Sequence, residues 1–304
     1  MMKKILQAVV SIILICAIIM NIGVDKITIV LSGINTIYLI PVFLVYLTMN
    51  FFLAFRIQFL LKRLGSVVNF TKVFFSHMFG MLWSEITPGK SGYISVVFPL
   101  KKINVPASRT ISTLGVVQIG DFIVKIIGTL FALFLLSTIL LDVTNYALLG
   151  VGTAIVLIAL ISIVLWSEKT DKLFSFLKKF KLGRKIHKIL PHIRKSSSVL
   201  KKNFVFVIAI SLIGWLFRGA EWYFLGGILG MNLGFMVFLL LHPLLTLLSF
   251  VPISPAGIGI MEGGSILILT LFGVPPEVAF TFAILSRVTN IFVDLLGIKE
   301  IFQF

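Results

Sequence analysis

Two long apolar segments of this 304-residue chain carry polar side chains at matching positions. Within each segment the three polar residues are spaced i, i+3 and i+7, so they share one face of a helix. The two sets are Gln118, Asp121 and Lys125 in the first segment and Arg287, Asn290 and Asp294 in the second. A charge inside a membrane helix costs at least about 2.5–3.5 kcal/mol, which indicates a function. These residues either bind a charged substrate or form a buried ion-pair network between the segments.

Five further charged residues lie inside apolar segments or beside breaks in them. Arg218 and Glu221 are three residues apart, so they either neutralise each other or contact a charged substrate. Glu85 and Glu262 flank glycine-rich turns, where a carboxylate coordinates a coupling ion or caps exposed backbone amides. Lys90 adds a positive charge within the first turn. We expect all five to contribute to substrate binding, together with Asp121, Arg287 and Asp294.

The two turns belong to a sequence repeat. Thr87–Gly128 and Ser254–Gly297 each contain a hydroxyl-Pro-small-residue turn, glycines, a Val-Pro pair and a long apolar helix. In membrane transporters, Gly/Pro-interrupted apolar segments at corresponding positions of two repeats indicate the substrate site. A helix that begins after such a turn also offers free N–H groups to an anion such as phosphate. The turn residues that we expect to form this site are Pro88, Gly89, Gly92, Pro255, Gly257 and Gly259.

The composition is that of an integral membrane protein. Hydrophobic residues make up 59% of the chain and charged residues 12%, and the mean hydropathy is +1.12. A soluble domain has about 25% charged residues, so this chain lacks a water-compatible surface. Much of the +16 net charge lies in residues 167–203, which hold 12 Lys and Arg. Nucleic acid would attract such a segment, but between apolar segments we interpret it as a cytoplasmic loop and predict no nucleic-acid partner.

The apolar segments predict an all-α polytopic membrane protein with about six full crossings. A span needs about 20 apolar residues, and the six segments near or above that length are Ile5–Val24, Ile37–Phe55, Thr110–Leu141, Tyr146–Trp166, Phe204–Gly230 and Val278–Ile298. Two interrupted segments, Val73–Leu100 and Phe235–Phe272, predict re-entrant hairpins that open on opposite sides. If each hairpin instead crosses twice, the chain has ten spans and the same orientation.

We predict a single transmembrane domain over residues 1–304, with an inverted internal repeat. Its parts are repeat 1 at about 73–128, the basic cytoplasmic loop at 167–203 and repeat 2 at about 235–297. The first apolar run is too long for a signal peptide and is predicted to be a retained helix. Cations place the start of the first helix and the end of the second helix on the cytoplasmic side. They are Lys3 and Lys4 before the first helix and Arg56, Lys62, Arg63 and Lys72 after the second. Both termini are then cytoplasmic.

Motifs of enzymes and metal proteins are missing from the sequence. With one cysteine, Cys16, the chain has no internal disulfide and no Cys-rich metal site. His77 and His242 are isolated in apolar runs, so we interpret each as a helix–helix hydrogen-bonding residue and not as a metal ligand. No nucleophile elbow, P-loop or dinucleotide fingerprint is present. We therefore predict no cofactor, no metal, no catalytic residues and no enzymatic activity.

The repeats resemble a known family. The TPGKSG turn, the SPAGIGIMEG segment, Gly273-Val274-Pro275 and Arg287 with Gly297 ten residues later are similar to the transmembrane region of lysylphosphatidylglycerol synthases. That region also occurs as a free-standing, flippase-like membrane protein in bacteria and archaea. In the fused synthases it is thought to move the aminoacylated phospholipid between leaflets. One departure is Gln118, since the first repeat of the family often carries an arginine there.

The resemblance implies a flippase-like lipid transporter in the cell membrane of a bacterium or archaeon. We expect membrane lipids with anionic headgroups as partners, and phospholipids or polyprenyl-phosphate-linked lipids as substrates. One alternative is a membrane-embedded enzyme that acts on lipid-linked substrates. Another is a non-catalytic scaffold that positions a lipid-modifying enzyme as its partner. The sequence names neither the lipid nor the oligomeric state.

Overall fold

The computed structural model describes residues 2–140, 144–167, 181–250, 254 and 257–301, and this part of the chain contains helices and no strands. The helices before residue 167 are α1 (Met2–Ile22), α2 (Val24–Ser32), α3 (Leu39–Arg63), α4 (Phe70–Ser84), α5 (Val97–Lys102), α6 (Ala107–Leu135), α7 (Ser137–Leu140) and α8 (Thr144–Trp166). Those after it are α9 (Lys181–Leu200), α10 (Phe204–Ile228), α11 (Phe235–Leu248), α12 (Ile260–Leu271) and α13 (Pro276–Asp294). Short 3-10 turns include Ser91–Val96 and Leu295–Glu300. The predicted all-α class is confirmed.

Up to six stretches are long and apolar enough to cross a membrane, as the sequence predicts. Five are continuous: Thr36–Arg63, Ala107–Leu135, Thr144–Trp166, Lys188–Ile228 and Pro276–Glu300. The sixth is the pair formed by α1 and α2, which meet at a bend of 84°. The link predicted at Asp25–Thr36 is wrong in detail, because most of it is helix α2, which packs against α13. The chain is a multi-pass membrane protein.

The helices of the two predicted hairpins are shorter than a span. Helices α4, α11 and α12 have 15, 14 and 12 residues. At about 1.5 Å per residue each is roughly 18–23 Å long, less than the ~30 Å hydrocarbon core. Every side chain of α11 from Phe238 to Leu248 is buried. This is the expected pattern for a helix that is apolar all round and lies inside a bundle.

The contacts between helices fix their relative directions. Helices α3 and α10 are antiparallel, because Tyr46 lies beside Arg218 whereas Arg56, further along α3, bonds the earlier Ser211. Helix α6 is antiparallel to α3, and α13 is antiparallel to α10. The pairs that set these directions are Arg109–Ser66 and Asp121–Arg56 for α6, and Phe282–Trp222 and Asn290–Arg218 for α13. The two repeat helices α6 and α13 therefore run in opposite directions, as in inverted-topology repeats.

The two repeats also share the backbone turn that precedes these helices. Asn104 and Gly273, which align in the repeat, both have positive φ, at 63° and 77°. The N–H of the following residue returns 3.1 Å to the carbonyl of Leu100 in one copy and of Leu269 in the other. This is the Schellman end of a helix, where Gly and Asn are the residues that tolerate the left-handed conformation. The sequence repeat is therefore also a repeat of local structure.

One predicted helix boundary is wrong. Helix α3 does not end at Phe55 but continues to Arg63, so Arg56 is a buried residue of the helix and not part of a cytoplasmic loop. The described part of the basic segment 167–203 is helical. Helix α9 packs there on α6 and α8, and its Leu190 and Ile193 are buried. Residues 168–180 of this segment lie outside the described residues.

A close backbone contact near the C-terminus offers a stability test. Gly297 packs against the backbone of Met78 and Phe79 on α4, where an added Cβ would overlap their atoms. Gly297→Ala is expected to lower the free energy of unfolding by about 1–3 kcal/mol, because neither backbone has room to move away. The matched control is Gly227→Ala, since nothing lies within 4 Å of a Cβ there. Equal unfolding curves for both variants in detergent would contradict this packing.

Candidate functional site

Two adjoining cavities lie between α3, α4, α6, α10, α11, α12 and α13, and we call them together the polar chamber. The repeat-1 cavity, of about 150 Å³, is lined by Arg56, Gln118, Asp121 and Lys125 among others. The repeat-2 cavity, of about 60 Å³, is lined by Glu85, Arg287 and Asn290 among others. The residues that line both are Lys90, Arg218, His242 and Thr246. The chamber thus brings charged residues of both repeats together with Arg56 of α3 and Arg218 of α10.

A two-pronged ion pair forms one wall of the repeat-1 cavity. Arg56 on α3 donates from Nη1 and Nη2 to the two carboxylate oxygens of Asp121 on α6, over 2.7 and 3.0 Å. Ser211 on α10 accepts from Arg56 and donates to Asp121, each over 2.6 Å. The Arg56 side chain is 1% exposed. Bidentate geometry of this kind gives a strong, directional contact, and here it ties three helices together.

A neutral hydrogen-bond chain supports α4 beside this pair. His77 Nε2 lies 2.9 Å from Asn50 Oδ1 on α3, and its Nδ1 lies 2.8 Å from the Tyr93 hydroxyl. The prediction that His77 is a helix–helix hydrogen-bonding residue is confirmed. His242 occupies the same place, the eighth residue, in α11 that His77 occupies in α4. It stacks edge-on against Trp222, with 4.7 Å between the ring centroids.

Arg287 joins the two repeats at the repeat-2 cavity. Its Nε donates to Glu262 Oε1 over 3.0 Å, and its Nη1 to Glu85 Oε2 over 3.4 Å. Glu85, at the end of α4, also accepts from Lys90 Nζ over 3.3 Å. An ion pair therefore connects the two repeats, but it is not the network predicted between the two sets of polar residues on the long helices. The partners differ from the expected ones, because Arg287 pairs with Glu85 and Asp121 pairs with Arg56.

Glu262 caps the helix that follows the second turn. Its Oε2 accepts the backbone N–H of Gly259 over 2.6 Å. Gly259, which precedes α12, has φ of 86°, and Lys90, which precedes the 3-10 turn Ser91–Val96, has φ of 53°, so both turns enter the following helical segment through the left-handed region. Of the two roles foreseen for Glu262, amide capping is the one observed. Because a carboxylate of the chain already lies at this helix start, it competes with a phosphate there.

Arg218 lies at the centre of the chamber. It donates from Nη1 to Glu221 Oε2 over 2.7 Å and to Asn290 Oδ1 over 3.1 Å. Glu221 is fully buried behind it, so the predicted i, i+3 pair forms. The Arg218 guanidinium stacks 4.3 Å from the centroid of the Tyr46 ring, whose hydroxyl donates to Asp294 over 3.0 Å. Glu221 and Asp294 therefore lie in a second layer, behind residues that line the chamber.

The two halves of the chamber are related but not identical. Arg56 on α3 contacts Asp121 on α6, and Arg218 on α10 contacts Asn290 on α13. Asp121 and Asn290 align in the repeat. A carboxylate in one half is thus replaced by an amide in the other, where Glu221 neutralises the arginine instead. Arg56 is also the more completely enclosed of the two arginines, with its side chain 1% exposed against 14% for Arg218.

The structure brings most of the predicted site residues together. Of these, Glu85, Lys90, Asp121, Arg218 and Arg287 line the chamber, and Glu221, Glu262 and Asp294 directly support it. Pro88, Gly89 and Gly92 form the turn after α4, which Thr87 closes by accepting the Gly92 N–H over 2.7 Å. Gly257 and Gly259 form the turn before α12. Pro255 lies outside the described residues.

Sequence reasoning missed several residues of the chamber. The sequence prediction places Arg56 in a loop, although the apolar run that follows it, through Leu61, indicates that the helix continues. The predicted substrate-binding residues do not include Lys125, although it shares a helical face with Asp121. Asn50, Tyr46 and Tyr93 gave no pattern of their own. Among the described residues, no group of three or more His, Cys, Asp or Glu side chains is placed to hold a metal ion.

Comparisons with known proteins agree with this architecture. The UPF0104 membrane protein MJ1595 of Methanocaldococcus jannaschii is 27% identical over 316 aligned residues, covering 97% of this chain and 93% of that protein. The UPF0104 membrane protein MJ1078 of the same organism is also 27% identical, covering 70% of this chain and 89% of its own. No solved structure matches the chain. The model of the lysylphosphatidylglycerol synthase TM region matches residues 4–297, so the chain belongs to that family.

Proposed function

We propose that this protein binds the headgroup of an amphipathic lipid in the polar chamber and transfers the lipid between leaflets. The observation that carries the proposal is the charge of the lining. Five cations line the chamber, namely Arg56, Lys90, Lys125, Arg218 and Arg287, against two lining carboxylates, Glu85 and Asp121. This excess of positive charge in a membrane bundle favours an anionic headgroup. Phospholipids and polyprenyl-phosphate-linked lipids have such headgroups.

The position of the chamber supports a transport role. Five of its charged residues, Arg56, Asp121, Lys125, Arg218 and Arg287, lie inside the long apolar helices α3, α6, α10 and α13, and Glu85 and Lys90 lie in the turn after α4. The inverted directions of α6 and α13 are those of transporters in which the substrate site lies at the repeat interface. A headgroup held there is shielded from hydrocarbon while the acyl chains remain in the bilayer. The protein then supplies the polar part of the path, which is the costly part of lipid transfer.

The distribution of surface charge supports one orientation. Lys62 and Arg63 end α3, and Arg109 near the start of α6 bonds Ser66 just beyond that end. Lys201 lies over Trp166 at the end of α8. These cations share one side of the bundle, which we assign to the cytoplasm by the positive-inside rule. Both termini are proposed to lie on that side, in the cell membrane of a bacterium or archaeon.

Reconstitution tests the function directly. Purified protein is placed in liposomes that carry a trace of fluorescent phosphatidylglycerol or phosphatidylcholine, and a membrane-impermeant quencher is added outside. Without transport the quencher reaches only the labelled lipid of the outer leaflet. With the protein present we expect the quenched fraction of the labelled anionic lipid to rise above that outer-leaflet fraction, toward complete quenching. No rise for either lipid contradicts transport. A chemically altered lipid would support the enzyme alternative, and co-purification of a lipid-modifying enzyme without transport would support a scaffold.

A further inference from the structure

Lys125 is placed differently from the other cations of the chamber. It lies on α6 one turn beyond Asp121 and lines the repeat-1 cavity. Its ammonium is 4.8 Å from the centroid of the Phe250 ring, a cation–π distance. Within the described part of the chain, no carboxylate oxygen comes within 4.0 Å of it. An aromatic face attracts the ammonium but does not neutralise it.

Each of the other four lining cations has a carboxylate partner. The pairs are Arg56 with Asp121, Lys90 with Glu85, Arg218 with Glu221 and Arg287 with Glu262. Asp121, the nearest carboxylate along α6, is already occupied, since Arg56 bonds both of its oxygens and Ser211 bonds one. Lys125 therefore supplies the uncompensated positive charge of the repeat-1 cavity. An unpaired charge in a membrane bundle is costly unless a ligand balances it.

We propose that Lys125 is the binding residue for a phosphate group of the lipid headgroup, an inference that rests on the proposed function. An ammonium is a compact charge with three donors and suits a phosphate oxygen as a point contact. Gln118 and Thr246 line the same cavity and offer neutral hydrogen-bond groups around it. The phosphate docks beside Lys125, while the four paired cations keep their carboxylates. The repeat-1 cavity is thus the phosphate subsite of the chamber.

Binding measurements in detergent test this assignment without requiring transport. The probes are dihexanoylphosphatidic acid, dihexanoylglycerol, which lacks the phosphate, and inorganic phosphate alone. For the phosphatidic acid we expect Lys125→Met to weaken binding roughly 10- to 100-fold, the range for one charge-assisted hydrogen bond. Lys125→Arg is expected to stay within a few-fold of wild type. The matched control is Lys195→Met, which removes an exposed lysine of α9 outside the chamber.

The outcomes separate this inference from the proposed function. If wild type binds the phosphatidic acid and Lys125→Met binds it equally well, the assignment of Lys125 is overturned while lipid binding stands. If wild type binds none of the lipids, the proposed function fails as well. Equal binding of dihexanoylglycerol would overturn the phosphate as the recognised group. Inorganic phosphate is the alternative ligand to a lipid headgroup. If it binds as tightly as the phosphatidic acid, and Lys125→Met weakens its binding equally, the proposal that the phosphate at Lys125 belongs to a lipid is overturned.

Discussion

Arg56→Gln is expected to lower the free energy of unfolding by about 3–5 kcal/mol, the cost of breaking a buried ion pair from one side. The substitution leaves Asp121 without its two-pronged partner, and Ser211 alone remains to donate to that carboxylate. Because these contacts join α3, α6 and α10, the loss acts on the centre of the bundle. Unfolding in mixed micelles, followed by circular dichroism, measures the change.

A second substitution distinguishes the buried charge from the lost contacts. In the double variant Arg56→Gln/Asp121→Asn no unpaired carboxylate remains, so most of the lost stability is expected to return. The matched control is Arg63→Gln, seven residues later in α3, where the arginine is exposed and stacks on Phe59. An exposed contact of this kind contributes at most about 1 kcal/mol. A loss at Arg63 equal to that at Arg56 would contradict the buried pair.

The element types were predictable because the membrane restricts what a chain can do. Lipid offers no partner for a free backbone group, so a long apolar run becomes a helix, and the five continuous candidate spans follow from length and composition. The same logic fails at polar residues inside a helix. The sequence predicts a loop that begins at Arg56, yet the ion pair with Asp121 allows helix α3 to continue within the bundle. A single sequence does not show that the two residues meet.

The site was predictable where the same Pro/Gly break occurs at corresponding positions of both repeats, because one such break alone is a weak indication of a site. One Pro/Gly break is common in membrane helices, but two at corresponding positions indicate Glu85 and Lys90, and the matching polar residues of the long helices indicate Arg287; all three line one chamber. The specific partners were not predictable. Glu85 lies 202 residues from Arg287 in sequence, and their contact depends on how α4 and α13 pack. Residues of α3, such as Tyr46, lie outside both repeats as they were drawn from sequence, so alignment gave no sign of them.

The repeat asymmetry explains why the chamber carries a net charge of one sign. At the aligned positions a carboxylate, Asp121, faces one arginine and an amide, Asn290, faces the other. The remaining carboxylates Glu221 and Glu262 neutralise their arginines from behind and do not line the cavities. The cavity lining that a ligand meets is therefore more positive than the lining and the carboxylates behind it taken together. The net charge of the lining alone selects the headgroup.

Arg287→Gln is expected to reduce transport of an anionic lipid at least roughly 10-fold, the effect of losing one charge-assisted contact. Arg287 separates Glu262 from Glu85, and its removal leaves two carboxylates at the repeat-2 cavity with less compensation. They then repel an anionic headgroup. The loss of stability should be smaller than for Arg56→Gln, since Glu262 keeps the Gly259 N–H and Glu85 keeps Lys90.

Two companion variants separate the functional role of Arg287 from its structural role. Arg287→Lys retains the charge and is expected to retain part of the transport rate. The double variant Arg287→Gln/Glu262→Gln removes both members of the pair, so stability should recover whereas transport of the anionic lipid should not. The quencher assay in liposomes and unfolding in mixed micelles are run on the same preparations. Transport that recovers together with stability would show that Arg287 acts only by holding Glu262, because a headgroup contact cannot be restored by removing the carboxylate.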